Sequence, residues 1–305
     1  MSFNRNISSI FAIWMSLLCG CGATHLNLAP TVADQIQSLS IVSIIEQDRV
    51  QVEVKKSNAS GGMFGLVGAL VDAGVTSSRQ SDAEDLLLKL RAQLQAQNEI
   101  FVFRDEFWAS LDSLFKESAW PTRFTIERQT SNMTVAELRE SVSDDQRDAT
   151  LVLTTRYFLT PSVTILAIIT HADAYRSSAT QRIYFGDYTY LSDRIGVDDS
   201  LLTKEVAVDT WAAQGAHEFL QDVKEGIAEN IKMLRYDLLQ RDKSAPPEAR
   251  WVSIEYEDPF GIKDKKKDKA LLLGTLDGRA FLRSKKGNLF SMPERWLNVT
   301  DNGKK

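Results

Sequence analysis

Apolar and polar positions divide the chain into segments with different periods. Between Ile36 and Lys56 two apolar runs flank Glu46-Gln47-Asp48, the second alternating as Val50, Val52 and Val54, a pattern that predicts a β-hairpin. Asp82 to Asn98 and Arg104 to Trp120 place Leu and Phe at three- and four-residue spacings and read as helices, whereas Thr122 to Arg128 alternates like a strand. From Ala149 to Ser192 three strand-like runs, broken by Thr160-Pro161-Ser162 and a polar loop, predict an antiparallel meander at the centre of a sheet. Between Leu201 and Asp242, Leu220, Val223, Ile227, Ile231, Leu234 and Leu238 recur at steps of three and four, the strongest helix signal in the chain. Gly215 and Gly226 each weaken that helix by roughly 1 kcal/mol relative to Ala and mark a kink or a close contact.

Ala245-Pro246-Pro247 ends the helical pattern, and the remainder reads as a small β unit: WVSIEYE, a lysine-rich loop, ALLLGTLDGRAFLR with Asp277-Gly278 as hairpin turn, and GNLFS. The predicted fold is therefore α+β, with a mixed or antiparallel sheet, packed helices including one long C-terminal helix, and a small β-rich tail.

The 305 residues suffice for one large domain or two small ones, and 43% hydrophobic with 25% charged residues is ordinary for a globular chain. The net charge of −5 lacks the surplus that neutralising nucleic-acid phosphates requires. Charge is unevenly spread. Residues 245–305 hold 13 Lys and Arg against 9 Asp and Glu, a net of about +4 that leaves about −9 on the rest. The densest basic run, Lys263 to Lys269, suits a solvated loop or contact with anionic lipid headgroups.

The first residues carry an address. Arg5 precedes an apolar run from Ile7 to Leu18, too short for the ~20 residues of a membrane-spanning helix, which ends in Leu18-Cys19-Gly20-Cys21. This ending resembles the lipobox of bacterial (Gram-negative) lipoproteins, with Leu18 at −3, Gly20 at −1 and Cys21 as the acylated residue; Cys19 stands at −2, where that class usually has Ala, Ser or Thr. The resemblance implies cleavage after Gly20 and covalent lipid, palmitate included, on Cys21, the only cofactor expected. Gly22 after the Cys implies sorting to the outer membrane, facing the periplasm. The expected organisation is a signal peptide at 1–20, a lipidated tether at 21–35, a periplasmic body at 36–244 and a basic β-rich tail at 245–305.

With Cys19 removed and Cys21 acylated, the mature body has no thiol for disulfides, nucleophilic catalysis or zinc. His25, His171 and His217 are scattered, so no metal site is expected, and neither a GxSxG elbow nor an SxxK motif is present. The residues 60–75 carry Gly61, Gly65, Ala69 and Ala73 at four-residue intervals, a glycine-zipper-like stripe suited to tight packing, self-association or membrane entry. In the meander, His171 and Asp173 share one strand face, and Tyr184, Tyr188 and Tyr190 share another, which suggests a polar-aromatic surface platform. The functional expectation is a non-enzymatic binding, scaffold or assembly protein of the cell envelope, with a membrane, an envelope protein or a second copy as partner and no nucleic acid. The alternative is an oligomeric transport or secretion accessory built on the small-residue stripe. A cell-wall or glycan hydrolase is the third reading.

Overall fold

The computed structural model describes residues 25–45, 47, 49–52, 76–96, 103–130, 147–176, 182–195, 203–239, 245–260 and 265–298. Gly20, Cys21 and the stripe Gly61, Gly65, Ala69 and Ala73 lie outside the described residues. The chain is α+β: helices α1 (Thr76–Ala96), α2 (Phe103–Glu117) and α3 (Lys204–Leu234) pack on a mixed sheet. Its strands are β1 (Ser38–Ile44), β2 (Gln51–Val52), β3 (Arg123–Gln129), β4 (Ala149–Leu159), β5 (Leu166–Arg176), β6 (Arg182–Leu191), β7 (Arg250–Glu257), β8 (Lys265–Leu276), β9 (Arg279–Ser284), β10 (Leu289–Pro293) and β11 (Leu297–Asn298). Their order is β11-β7-β8-β9-β10-β6-β5-β4-β1-β3, with β2 also paired to β4.

The meander is present as expected, β4, β5 and β6 pairing antiparallel over nearly their whole lengths. The hairpin at Ile36 to Lys56 is not. β1 and β2 both run parallel to β4, β1 beside Ala149 to Thr154 and β2 beside Phe158 and Leu159. They are successive pieces of one strand. Gln47, expected in a turn, is 7% exposed, and its side-chain carbonyl accepts the Tyr157 amide at 2.8 Å. A carboxamide thus occupies the place of a backbone partner where the strand is interrupted, and the buried N–H is satisfied.

Alternation decides which layer each face meets. Leu39 and Ile41 of β1, Leu151 and Leu153 of β4, Ile168 of β5 and Tyr188 of β6 point into the main core with the helices. There Phe103 stacks on Tyr157 at 4.2 Å, and the Trp108 indole donates to the Ser43 hydroxyl at 3.1 Å. Phe158, Ala167, Ile169 and Leu191 point the other way and share a second core with Val252, Ile254, Leu272 and Leu282 of the tail. The tail strands are continuous with the body sheet, because β10 pairs parallel with Tyr188 to Tyr190 of β6. Asp277 and Gly278 form the β8–β9 turn with φ of +51° and +76°, the left-handed pair that such two-residue turns require.

The lysine-rich run is a strand and not the expected loop. Lys265 and Lys267 of β8 lie opposite Glu257 and Glu255 of β7; Lys267 pairs with Glu255 at 3.0 Å, and Lys266 with buried Asp258 at 2.8 Å. Cross-strand charge pairing explains why so basic a segment accepts a ladder.

Helix α3 breaks at Ala213 to Ala216, where Gln214, Gly215 and Ala216 have φ of +51°, +71° and +61°. Glycine suits that region, but each non-glycine residue there costs about 1–2 kcal/mol. The break sits between Trp211 and Phe219, both buried, whose rings meet edge to face at 5.8 Å, and the Trp211 indole donates to the Val163 carbonyl at 2.7 Å. Two large aromatics thus reach one core from either side of a local strain.

Gly226 is a second point of contact. A Cβ there would stand 2.6 Å from Ile168 Cδ1 and 2.7 Å from Tyr190 Cδ1, so α3 lies directly on the sheet. Gly226→Ala is expected to destabilise the fold by about 1–3 kcal/mol, despite the ~1 kcal/mol that Ala adds to helix propensity. Gly274→Ala, whose Cβ would meet nothing within 4 Å, should change stability by less than ~0.5 kcal/mol. Urea unfolding of both variants checks the pair; a Gly226→Ala protein as stable as the parent contradicts the close packing.

Candidate functional site

The most deeply built polar cluster joins the start of the described chain to the end of α3. β10 covers β6 only from Tyr188 to Tyr190. The edge of β6 below that is taken by Leu26, whose N–H and C=O both pair with Phe185 at 3.0 Å, while the His25 amide donates to the Lys286 carbonyl at 3.0 Å. The incoming chain is therefore a short strand that fills a gap in the sheet.

The His25 side chain, 6% exposed, turns into the core. Its Nε2 lies 3.0 Å from Asn27 Oδ1 and 3.3 Å from Asp237 Oδ1. Asp237, 1% exposed, accepts from the Tyr184 hydroxyl at 2.5 Å and from the Tyr188 hydroxyl at 3.1 Å, and the two hydroxyls also touch each other. A π-helical turn at Arg235–Leu239 extends α3 and carries Asp237 into the cluster. Gly186, between the tyrosines on β6, leaves the space: a Cβ there would lie 2.7 to 3.0 Å from both hydroxyls and from Asp237. Gly287, with φ of +94°, is needed in the same way, since a Cβ would strike His25.

Burial first, and then the Asp237 charge, push the Tyr184 hydroxyl well above its ordinary range; for Tyr188, burial and then the neighbouring Tyr184 hydroxyl and Asp237 carboxylate do the same. Both stay neutral donors. A buried carboxylate with two donors and an imidazole beside it is chemically a lock, because leaving it unsatisfied costs far more than the net worth of the bonds.

The expected surface platform does not form. Antiparallel register sets His171 opposite Asp187 and Ala174 opposite Tyr184, so His171 and Asp173 face away from the three tyrosines. Tyr184, Tyr188 and Tyr190 are fully buried beneath α3. His171 and Asp173 remain together on the other face, half-exposed, where His171 Nδ1 bonds Asp187 and Arg182 pairs with Asp173 at 2.9 Å. Burial raises the Asp173 carboxyl, opposed by Arg182 and His171.

A further cluster lies where α3 crosses β6 and β9. Arg279 reaches Glu225 at 3.1 Å, donates to the Leu191 carbonyl at 2.7 Å, and stands 4.3 Å over the ring of Tyr190. Nearby Asp222 is pushed up to about 7, by burial first and then by the charge of Glu225, with Arg279 opposing. The sequence pattern missed this group, since Asp222 and Glu225 look like ordinary polar positions on an amphipathic helix.

One end of the sheet is basic. Arg123 begins β3, Arg147 precedes β4, Arg176 ends β5 and Arg182 begins β6, and the antiparallel and parallel registers bring these to the same end. Lys285 and Lys286, exposed in the β9–β10 turn, stand apart from them, beside His25 and level with the middle of β6. A cavity of about 240 Å³ there is lined by Gln35, Ile36, Arg147, Asp148 and Arg176. Asp148, an exposed residue of this lining, accepts from the Gln37 and Ser38 amides at 2.9 and 2.8 Å; these bonds, that of Ser38 foremost, hold its carboxyl below its usual range.

Among the described residues no group of three or more His, Cys, Asp or Glu is arranged to hold a metal ion, and no helix is long and apolar enough to cross a membrane. Comparison with protein-family models and with curated proteins found no match.

Asp222 yields a pH prediction. Its folded-state carboxyl keeps a proton up to about pH 7, whereas the unfolded chain loses it near 3.8, so stability falls as pH rises through that window. Asp222→Asn is expected to remove the decline: between pH 5 and pH 8 the urea midpoint of the parent should drop relative to the variant. Parallel midpoints would contradict the burial of this group.

Proposed function

We propose that the chain is a lipid-anchored protein of the bacterial cell envelope, acylated on Cys21 at the periplasmic side of the outer membrane, with a non-enzymatic binding, scaffold or assembly role. The observation that carries this reading is the lock on His25. Only three residues stand between the lipobox cysteine and a side chain buried in the fold, four steps of chain. At ~3.3–3.6 Å per extended residue that is a reach of about 14 Å, so the lipid would hold the whole body at the bilayer surface rather than on a long leash. More than one acyl chain is needed for stable anchoring, as a mature bacterial lipoprotein provides.

The continuous sheet supports the scaffold half of the proposal. Body and tail share the β6–β10 pairing and a common second core, so a partner held by the tail is held at a fixed position relative to the tether. Trp251 and Leu276 are the large apolar side chains that the tail leaves more than half exposed.

Cys21→Ser is expected to abolish palmitate labelling and release the protein from outer-membrane fractions. A photo-crosslinker at Trp251 or Leu276 should give a discrete envelope adduct in cells that is lost in the released variant. Palmitate-free wild-type protein contradicts the anchoring. A ring-sized assembly that Gly65→Leu disperses would favour the oligomeric accessory instead, and hydrolysis of purified cell wall or glycan would favour an enzyme.

A further inference from the structure

We infer that the outer strands of the tail hold a docking strip for an acidic, amphipathic protein segment. Trp251, Leu271 and Leu276 form its apolar floor, and Lys269, Arg283 and Lys285 stand at one end to receive carboxylates. This rests on the partner-binding reading above and adds the chemistry of the partner and the place where it sits.

Register sets the apolar residues side by side. Trp251 of β7 lies opposite Leu271 of β8, and Leu271 opposite Arg283 of β9, so the three side chains share one face of the sheet. It is the face on which α3 packs: Leu271 and Phe281 lean on the main core, and the Tyr236 ring meets Phe281 at 5.0 Å. Beyond that contact the face opens. Trp251 is 54% exposed and Leu276, further along β8, is 62% exposed. Between them Gly274 stands opposite Phe281, and a Cβ on it would meet nothing within 4 Å, so the middle of the strip is clear. From Leu271 to Leu276 the strand runs about 17 Å, the length of about three helical turns. Single exposed apolar side chains are ordinary, whereas a contiguous strip of them marks an interface.

The charges beside the strip are unbalanced. Lys269, two residues from Leu271 on the same face, has the neutral Ser253 as its cross-strand neighbour. Glu255, next along β7, is already held by Lys265 and Lys267 at 3.7 and 3.0 Å. Arg283 donates to the Tyr236 hydroxyl at 3.1 Å and stands 5.4 Å over its ring, contacts that leave its charge uncompensated. Lys285 is exposed directly after Ser284, the partner of Ala270, and so emerges level with Lys269. Among the described residues none of these three cations forms an ion pair. At the far end the exposed Asp277 stands in the β8–β9 turn, so the partner's carboxylates lie at the Lys269 end. Trp and Arg are the side chains that most often dominate protein interfaces. A sugar would need acceptors for its hydroxyls here, and Glu255 is already occupied.

The test measures binding of model peptides to the full chain in mild detergent. The probes are fluorescent peptides of about 18 residues with Leu at three- and four-residue spacings and Glu, Gln or Lys elsewhere, read by anisotropy. The Glu peptide should bind roughly tenfold more tightly than the Gln peptide, and the difference should vanish in ~1 M salt, where the Debye length is about 3 Å. Lys269→Glu/Lys285→Glu should invert the order so that the Lys peptide binds best, and Trp251→Ser/Leu276→Ser should remove binding of all three. Urea midpoints like the parent's show that these exposed changes leave the fold intact. Equal affinity for the Glu and Gln peptides, or binding that survives Trp251→Ser/Leu276→Ser, overturns the strip. Tighter binding to phosphatidylglycerol vesicles or to polygalacturonate than to the Glu peptide also overturns it, in favour of lipid or glycan. In cells, the adduct of a photo-crosslinker at Leu276 should map to a segment rich in Asp and Glu and be lost in Lys269→Glu/Lys285→Glu; an adduct indifferent to that reversal contradicts the assignment. Anchoring is read separately by intact mass: a chain without acyl groups that binds the Glu peptide sinks the anchored reading and keeps the strip, and an acylated chain that does not bind it does the reverse.

Discussion

Two backbone hydrogen bonds between Leu26 and Phe185, backed by the burial of His25 against Asp237, tie the first described residues to the centre of the sheet. Much else follows from this join. β10 leaves the lower edge of β6 open, and an open strand edge in a sheet of this size exposes unpaired N–H and C=O groups. The incoming chain closes that edge. In doing so it delivers an imidazole to a carboxylate that α3 has carried under the sheet and that Tyr184 and Tyr188 already hold. Each partner would be costly to leave alone in the core. Together they connect the first described residues, the longest helix and the central strand.

The sheet in turn fixes what lies around the join. Strand direction brings Arg123, Arg147, Arg176 and Arg182 to one end of the sheet, whereas His25 and the β9–β10 turn meet β6 near its middle. Close contact of Gly226 with Ile168 and Tyr190 sets the height of α3, and the break at Ala213 to Ala216 lets its first turns bend so that Trp211 reaches Val163. The fold accepts backbone strain at Gln214 and Ala216, and beside the join it pairs Asp237 while leaving His25 Nδ1 buried without a hydrogen-bond partner.

The sequence made the periodic parts legible and the conditional parts illegible. The α3 stripe, the three-strand meander and the Asp277-Gly278 turn are local patterns, and each is where its spacing placed it. Gln47 looked like a turn residue because a carboxamide standing in for a strand partner leaves no periodic trace. The tyrosine platform failed on register: a one-residue shift between β5 and β6 exchanges faces, and only the pairing of His171 with Asp187 reveals that the tyrosines point the other way. Lys265 to Lys269 read as a loop because their carboxylate partners lie on a strand of undetermined neighbour. Asp237 did leave a sign. It falls seven residues after Asn230 on the buried side of α3, and a polar residue recurring in an apolar stripe marks a site with a partner. That the partner is His25, more than two hundred residues away, is a property of the folded sheet alone.

The most direct test is amide hydrogen exchange of the full-length protein at Leu26 and Phe185. If the chain is locked to β6 at Leu26, both amides exchange as slowly as those of β5 and β6 in the core, and His25→Ala accelerates them before it affects the meander. Leu26 and Phe185 amides that exchange at the rate of an unstructured tether, while β5 stays protected, would contradict the account.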